Sequence, residues 1–157
     1  MPNIVSQIVE VTVFRKSEAG PQFLVLKRSA KDKLYPGIWQ IVTGVIETGE
    51  KAVHAALREV SEETGLSPVK FWRLPFVNSF FDANQDLVHM CPNFAVLADP
   101  QAAPRLSKEH DSCLWCPPDE ALRLLPWSGQ RRAVDTVIDR FVTETEESRL
   151  LELPISS

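Results

Sequence analysis

Apolar positions along the chain follow two periods. Residues 4 to 14, IVSQIVEVTVF, interleave Val and Ile with polar residues, and QFLVLKR (22 to 28) follows the turn-like break KSEAGP. This composition predicts two strands joined as a hairpin. SAKDKLYPG (29 to 37) reads as a polar loop around Pro36-Gly37, after which IWQIVTGVI (38 to 46) returns to strand composition. The period then lengthens. Val53, Ala56, Leu57 and Val60 stand at i, i+3, i+4 and i+7, the stripe of a helix that docks on a sheet. Its start is expected at Thr48 to Glu50, with Thr48 or Gly49 as cap, and its stop at Gly65.

Strand-like runs recur at 69 to 81 and 87 to 98, with Pro92 marking a strand edge or a bulge, and at 112 to 116 before Pro117-Pro118. Two helices are predicted to follow, over 118 to 125 and 128 to 148. Ala133, Val134, Val137, Ile138 and Phe141 form the apolar stripe of the second. TETEES within it reads as a solvated helix end, and the tail RLLELPISS is ambiguous. The pattern describes one α/β domain over residues 1 to 157.

Composition narrows the function. The chain of 157 residues carries a net charge of −4, which gives no basic footprint for a nucleic-acid backbone. A small phosphorylated partner fits better, since bound divalent cations reverse the local field of an acidic cleft. No apolar run reaches membrane-spanning length and no export signal is evident, so the expected compartment is the cytoplasm. Three cysteines there are expected to be free thiols. Cys113 and Cys116 have C-x-x-C spacing, but no second pair exists and a strand turns them to opposite faces, so zinc is not expected. A homodimer is a general expectation for a soluble protein.

The sequence GVIETGEKAVHAALREVSEETGL (44 to 66) raises a physical problem. Glu59, Glu62 and Glu63 crowd the last turn of the predicted helix, where the helix dipole and their mutual repulsion both oppose them. Their carboxylates lie beside the apolar stripe and outside it. A bound cation relieves the repulsion, and carboxylates with a backbone carbonyl from a glycine turn are the hard ligands that Mg²⁺ takes. Gly44, Glu50, Arg58-Glu59-Val60, Glu62-Glu63 and Gly65-Leu66 at these spacings match the signature of the Nudix hydrolase family, which this chain closely resembles. The order of strands and helices is also similar to the family's α/β/α sandwich with a central mixed β-sheet.

The resemblance implies that Glu59, Glu62 and Glu63 bind Mg²⁺, or Mn²⁺, with the carbonyl of Gly44. It implies that Arg58 orients the glutamates and that Glu50 supports them from behind. It further implies attack of water on phosphorus in a nucleoside diphosphate linked to another group. Trp39-Gln40 before the VTG turn, Glu109-His110 ahead of Trp115, and Trp127-Ser128 at the last helix are similar to the bacterial subgroup acting on dATP and dihydroneopterin triphosphate.

By that likeness Glu109 is an additional catalytic or metal-binding carboxylate, against its reading as a solvated loop acid. Arg28 is a candidate phosphate partner, with Lys27 and Lys33 behind it; strand alternation lets only one of Lys27 and Arg28 face the cleft. Trp39 is read either as a stacking platform or as core, and Gln40 and Asn78 as amides for a heterocycle edge. His54 is expected on an exposed helix row, and neither His89 nor His110 stands in a nucleophile arrangement. Other readings are hydrolysis of ADP-ribose, nucleotide sugars or dinucleoside polyphosphates, an RNA 5′-end enzyme, and a nucleotide-binding module without turnover.

Overall fold

The computed structural model describes residues 1 to 156. In chain order it contains β1 (Asn3–Val5), β2 (Ile8–Ser17), β3 (Gly20–Arg28), β4 (Trp39–Gln40), β5 (Val42–Val45), α1 (Ala52–Thr64), β6 (Pro68–Asp82) and β7 (Leu87–Ala98). Then follow β8 (His110–Cys116), α2 (Pro118–Leu124), α3 (Ser128–Arg140), α4 (Glu146–Leu151) and β9 (Glu152–Leu153). Among the described residues no helix is long and apolar enough to cross a membrane.

The strands form one mixed sheet. β2 and β3 make the expected hairpin, paired from Phe14↔Phe23 to Ser17↔Gly20, and β2 runs parallel to β7. Beyond Phe14 and Phe23 the hairpin splays. The segment 39 to 45 fills the gap antiparallel to both strands, β4 on β3 and β5 on β2. β8 lies along the other edge of β3, and β6 pairs with β7 and β9.

Alternation divides the side chains between two cores. Val9, Val11, Leu24, Leu26, Phe94 and Val96 point to one face, where Ala56 and Val60 of α1 cover them. Phe14, Phe23, Val25, Trp72 and Ala95 point to the other, under Ala121 of α2 and Ala133, Val134 and Val137 of α3. The result is a layered α/β/α arrangement, each layer closed by the apolar stripe of a helix.

Two expectations are corrected. α1 begins at Ala52 and not at Thr48 to Glu50. Glu47 to Glu50 forms a turn closed by Glu50 N–H to Glu47 O, and the Glu50 carboxylate is drawn out of the helix toward Glu47 N–H and Arg58. The helix predicted over 128 to 148 is two helices. Thr145 ends the first by donating to Arg140 O, and starts the second as a capping box with Ser148. The acidic residues of TETEES therefore flank a cap, and the ambiguous tail supplies the end of α4 and the edge strand β9. Pro92 does mark a bulge: Arg73↔Phe94 and Val77↔Pro92 leave three residues of β6 opposite one of β7.

Candidate active site

α1 stops where it does because Gly65 adopts a left-handed conformation at φ 67° and donates its N–H to Ser61 O. Its last two turns thereby face β5 and the loop before β8. Glu59 and Glu63 are 8 % and 2 % exposed, whereas the Glu62 side chain is 57 % exposed. This corrects the expectation that all three lie outside the buried stripe: Glu59 and Glu63 fall on the docking face itself. Glu59 fits because Gly44 has no side chain. A Cβ built there falls inside the Glu59 carboxyl group.

Arg58 ties the acids together. Its Nε and Nη2 donate to Glu50 at 2.8 and 2.9 Å, its Nη1 to Glu59 at 2.8 Å and Glu62 at 3.1 Å, and its Nη2 to Val45 O at 2.9 Å. That guanidinium holds the Glu50 carboxyl down at about 2, helped by the Glu47 N–H, and its own proton is held more tightly in return, chiefly by Glu50. Burial raises Glu59 against the pull of Arg58.

Glu63 receives little such help, a weak downward pull from the Thr43 backbone N–H. Neither of its oxygens has a hydrogen-bond partner among the described residues. Burial, and then the charges of Glu59 and Glu109, push its carboxyl up to about 9. Glu109 comes from the loop before β8 and is exposed, yet Glu63, Glu109 and His110 bring ligand atoms within 4.8 Å of one another. His110 Nδ1 stands 3.7 Å from Glu63 Oε1, also unpartnered, while Nε2 is 2.9 Å from Gln40 Nε2. Burial, then Arg28, lowers the His110 ring to about 4.

The donor set fits a divalent metal. Arg58 bridges Glu59 and Glu62, Glu59 and Glu109 both act on Glu63, and Glu63, the most buried of these acids, has no hydrogen-bond partner at either oxygen among the described residues. Such a carboxylate is costly unless a cation meets it. Oxygen ligands of this kind suit Mg²⁺ or Mn²⁺.

The remaining candidates lie apart or are committed. Arg28 faces the His110 side of β3, but its guanidinium pairs with Asp32 and donates to Leu34 O at 3.1 Å, bracing the loop 29 to 37. Trp39 is half-buried and packs against the α2–α3 core, with Lys27 Nζ 5.9 Å from its ring centroid. Gln40, 5 % exposed, directs its amide nitrogen at His110 and not toward a cleft. Asn78 donates to Glu10 Oε1 at 2.8 Å. His54 is exposed, His89 is buried against Phe80, and Cys91, Cys113 and Cys116 are free.

The sequence reading passed over Gln40 and His110 as a pair. Their one signal was His110 beside Glu109, because Gln40 and His110 stand 70 positions apart and only the pairing of β4 and β8 with β3 joins them.

A family model described as the NUDIX domain matches residues 7–137. A Myxococcus xanthus octanoyltransferase is 38 % identical over 105 residues, covering 62 % of this chain and 28 % of that protein. Nudix hydrolase 10 of Arabidopsis thaliana is 47 % identical over 58 residues, covering 35 % of this chain and 21 % of that one. The chain thus spans less than a third of the length of these two relatives. A candidate NUDIX hydrolase of Listeria monocytogenes superposes with a TM-score of 0.72 at 27 % identity, covering 87 % of this chain and 94 % of that one. The dihydroneopterin triphosphate pyrophosphohydrolase of E. coli superposes with a TM-score of 0.70 at 22 % identity, covering 87 % and 99 %.

Proposed function

The chain belongs to the Nudix family, and from that membership we infer that it hydrolyses a phosphoric anhydride bond in a small phosphorylated substrate. The observation that carries the reading is Glu63, buried to 2 % with both oxygens unpartnered, beside Glu59 and Glu109. Glu59, Glu62, Glu63 and the Gly44 carbonyl would hold Mg²⁺ or Mn²⁺, which when bound neutralises the phosphate chain and makes water more acidic. Arg58 fixes Glu59 and Glu62 relative to each other and is itself anchored on Glu50 and the Val45 carbonyl. Glu109, exposed on its loop, is free to take the proton of the attacking water. A water oxygen–phosphorus bond forms as the anhydride phosphorus–oxygen bond breaks.

For substrate, we favour a nucleoside-triphosphate-like molecule of the dATP or dihydroneopterin triphosphate type, yielding a monophosphate and pyrophosphate. The stretches around Trp39-Gln40, Glu109-His110 and Trp127-Ser128 support it. The test is product analysis with Mg²⁺ and a panel of nucleoside triphosphates, dihydroneopterin triphosphate, ADP-ribose and diadenosine polyphosphates, with the Glu59→Gln, Glu63→Gln double variant as control. Pyrophosphate from one triphosphate, absent with the variant, is the expected result. Turnover of the ADP-linked compounds alone overturns the substrate assignment, and equal turnover by the double variant overturns the site.

A further inference from the structure

Three buried side chains form a row between the sheet and α1. Gln40, His110 and Glu63 are each no more than 5 % exposed. Gln40 Nε2 lies 2.9 Å from His110 Nε2, and His110 Nδ1 lies 3.7 Å from Glu63 Oε1. An amide nitrogen carries only hydrogens, so the ring nitrogen it meets must offer a lone pair. The hydrogen of the neutral ring is then on Nδ1 and faces Glu63. Neither Nδ1 nor either Glu63 oxygen has another partner among the described residues.

The row is built by an irregularity in the strand. Along β8, Ser112 pairs with Lys27, but His110 and not Asp111 pairs with Arg28. The extra residue, Asp111, leaves the ladder and accepts from Ala30 N–H at 2.9 Å. Regular alternation would give His110 the same face as Ser112, away from α1. The bulge re-aims it toward Glu63. A strand that breaks its own register to place one histidine against an unpartnered carboxylate points to a role beyond filling space.

We propose that Gln40 and His110 are positioning residues: Gln40 fixes the Nδ1–H tautomer of His110, and that hydrogen orients Glu63 so that its other oxygen meets the divalent cation. This rests on Glu63 being a cation-holding group. Partners of this kind behind a ligand are worth tenfold to a hundredfold in metal affinity when removed.

Two readouts test it. In metal-free protein labelled with ¹⁵N histidine, the His110 nitrogens should report Nδ1–H and a bare Nε2, and Gln40→Leu should mix the tautomers. Mn²⁺ titration calorimetry should then show affinity falling about tenfold or more in His110→Leu. His110→Asn, which keeps an N–H near the Nδ1 position, should return affinity to within about threefold of wild type. Glu63→Gln separates the two ideas. If it leaves Mn²⁺ affinity unchanged, the metal reading itself fails; if it abolishes binding while His110→Leu does not weaken it, the relay fails. An Nε2–H tautomer, or magnetic coupling of Mn²⁺ to the ring nitrogen showing direct ligation, also overturns the proposal. Should His110→Leu not fold, the tautomer and the Gln40→Leu affinity still decide it.

Discussion

Replacing Glu63 by Gln should stabilise the metal-free protein while removing its response to the cation. The folded-state Glu63 carboxyl is pushed up to about 9 from 4.5, so at pH 7.5 folding makes it take up a proton that the unfolded chain has released. Over three pH units this costs at most about 4 kcal/mol. Glu109 is exposed on its loop, so solvent screens its share of the shift and reduces the figure. We expect Glu63→Gln to gain about 1–3 kcal/mol, or about 3 to 10 °C in Tm for a chain of this size. Saturating Mg²⁺, at about a hundred times its Kd, should give wild type about 2.7 kcal/mol and the variant nothing.

The pH dependence carries the sign. A folded pKa above the unfolded one means stability present below 4.5 and lost as pH rises toward 9. His110, lowered to about 4, works oppositely between 4 and 6.5, and the raised thiols of Cys91 and Cys116 add losses only above about pH 8.5. The clean window is therefore pH 7 to 8.5. There metal-free wild type should lose up to about 1.4 kcal/mol per unit and the variant far less, read from urea melts in a chelator. A flat wild-type profile, or a metal-free variant less stable than wild type at pH 7.5, refutes the reasoning.

Other expectations follow from the same geometry. Gly44→Ala drives a methyl into the Glu59 carboxyl and should cost about 1–3 kcal/mol in urea unfolding while weakening Mg²⁺ binding; full Mg²⁺ affinity would show that Glu59 does not hold the ion. Glu62→Gln, at an exposed position, should leave Tm unchanged and cut turnover by about a hundredfold, and near-normal turnover would remove Glu62 from the site. Glu10→Gln should cost about 2–4 kcal/mol, since one acceptor oxygen that met amide N–H groups becomes a donor; a loss below about 0.5 kcal/mol would mean that the network contributes nothing.

Much of the sheet and α1 was legible because each apolar residue obeys one period: Val9, Val11 and Val13 alternate, and Ala56 and Val60 repeat at helical spacing. The failures occur where a side chain competes with the backbone pattern. Glu50 has the composition of a helix start but its carboxylate prefers Arg58 and Glu47 N–H. Thr145 has ordinary propensity within a helix but caps two ends at once. Local periodicity carries neither choice, since each depends on a partner reached through a turn or a cap. Gln40 failed for a different reason. Its amide could be assigned to a ligand from sequence, but the bulge that turns His110 to meet it is set by Asp111 and the loop beginning at Ser29.

Two buried glutamates show what separates a structural charge from one reserved for a ligand. Glu10, 4 % exposed, lies on the α3 face of a strand that is buried on both sides. Its Oε1 accepts from Asn78 at 2.8 Å and Asn93 at 3.3 Å, and its Oε2 from Gln130 at 3.0 Å. Gln130 stands in the first turn of α3, where free backbone N–H groups favour an anion, and its side-chain Oε1 accepts from Ile41 N–H. Glu10 therefore pins the helix to the sheet with every charge-bearing oxygen occupied. Glu63 is as deeply buried on the opposite face, yet its charged neighbours are carboxylates, neither oxygen has a partner at hydrogen-bond distance among the described residues, and the Thr43 backbone N–H pulls its carboxyl down only weakly. Burial is the same in the two cases and satisfaction is opposite. A fold that satisfies Glu10 with three amides has the means to satisfy Glu63. Leaving it open keeps free energy that a cation recovers on binding, which is why the same residue should be destabilising without the metal and stabilising with it.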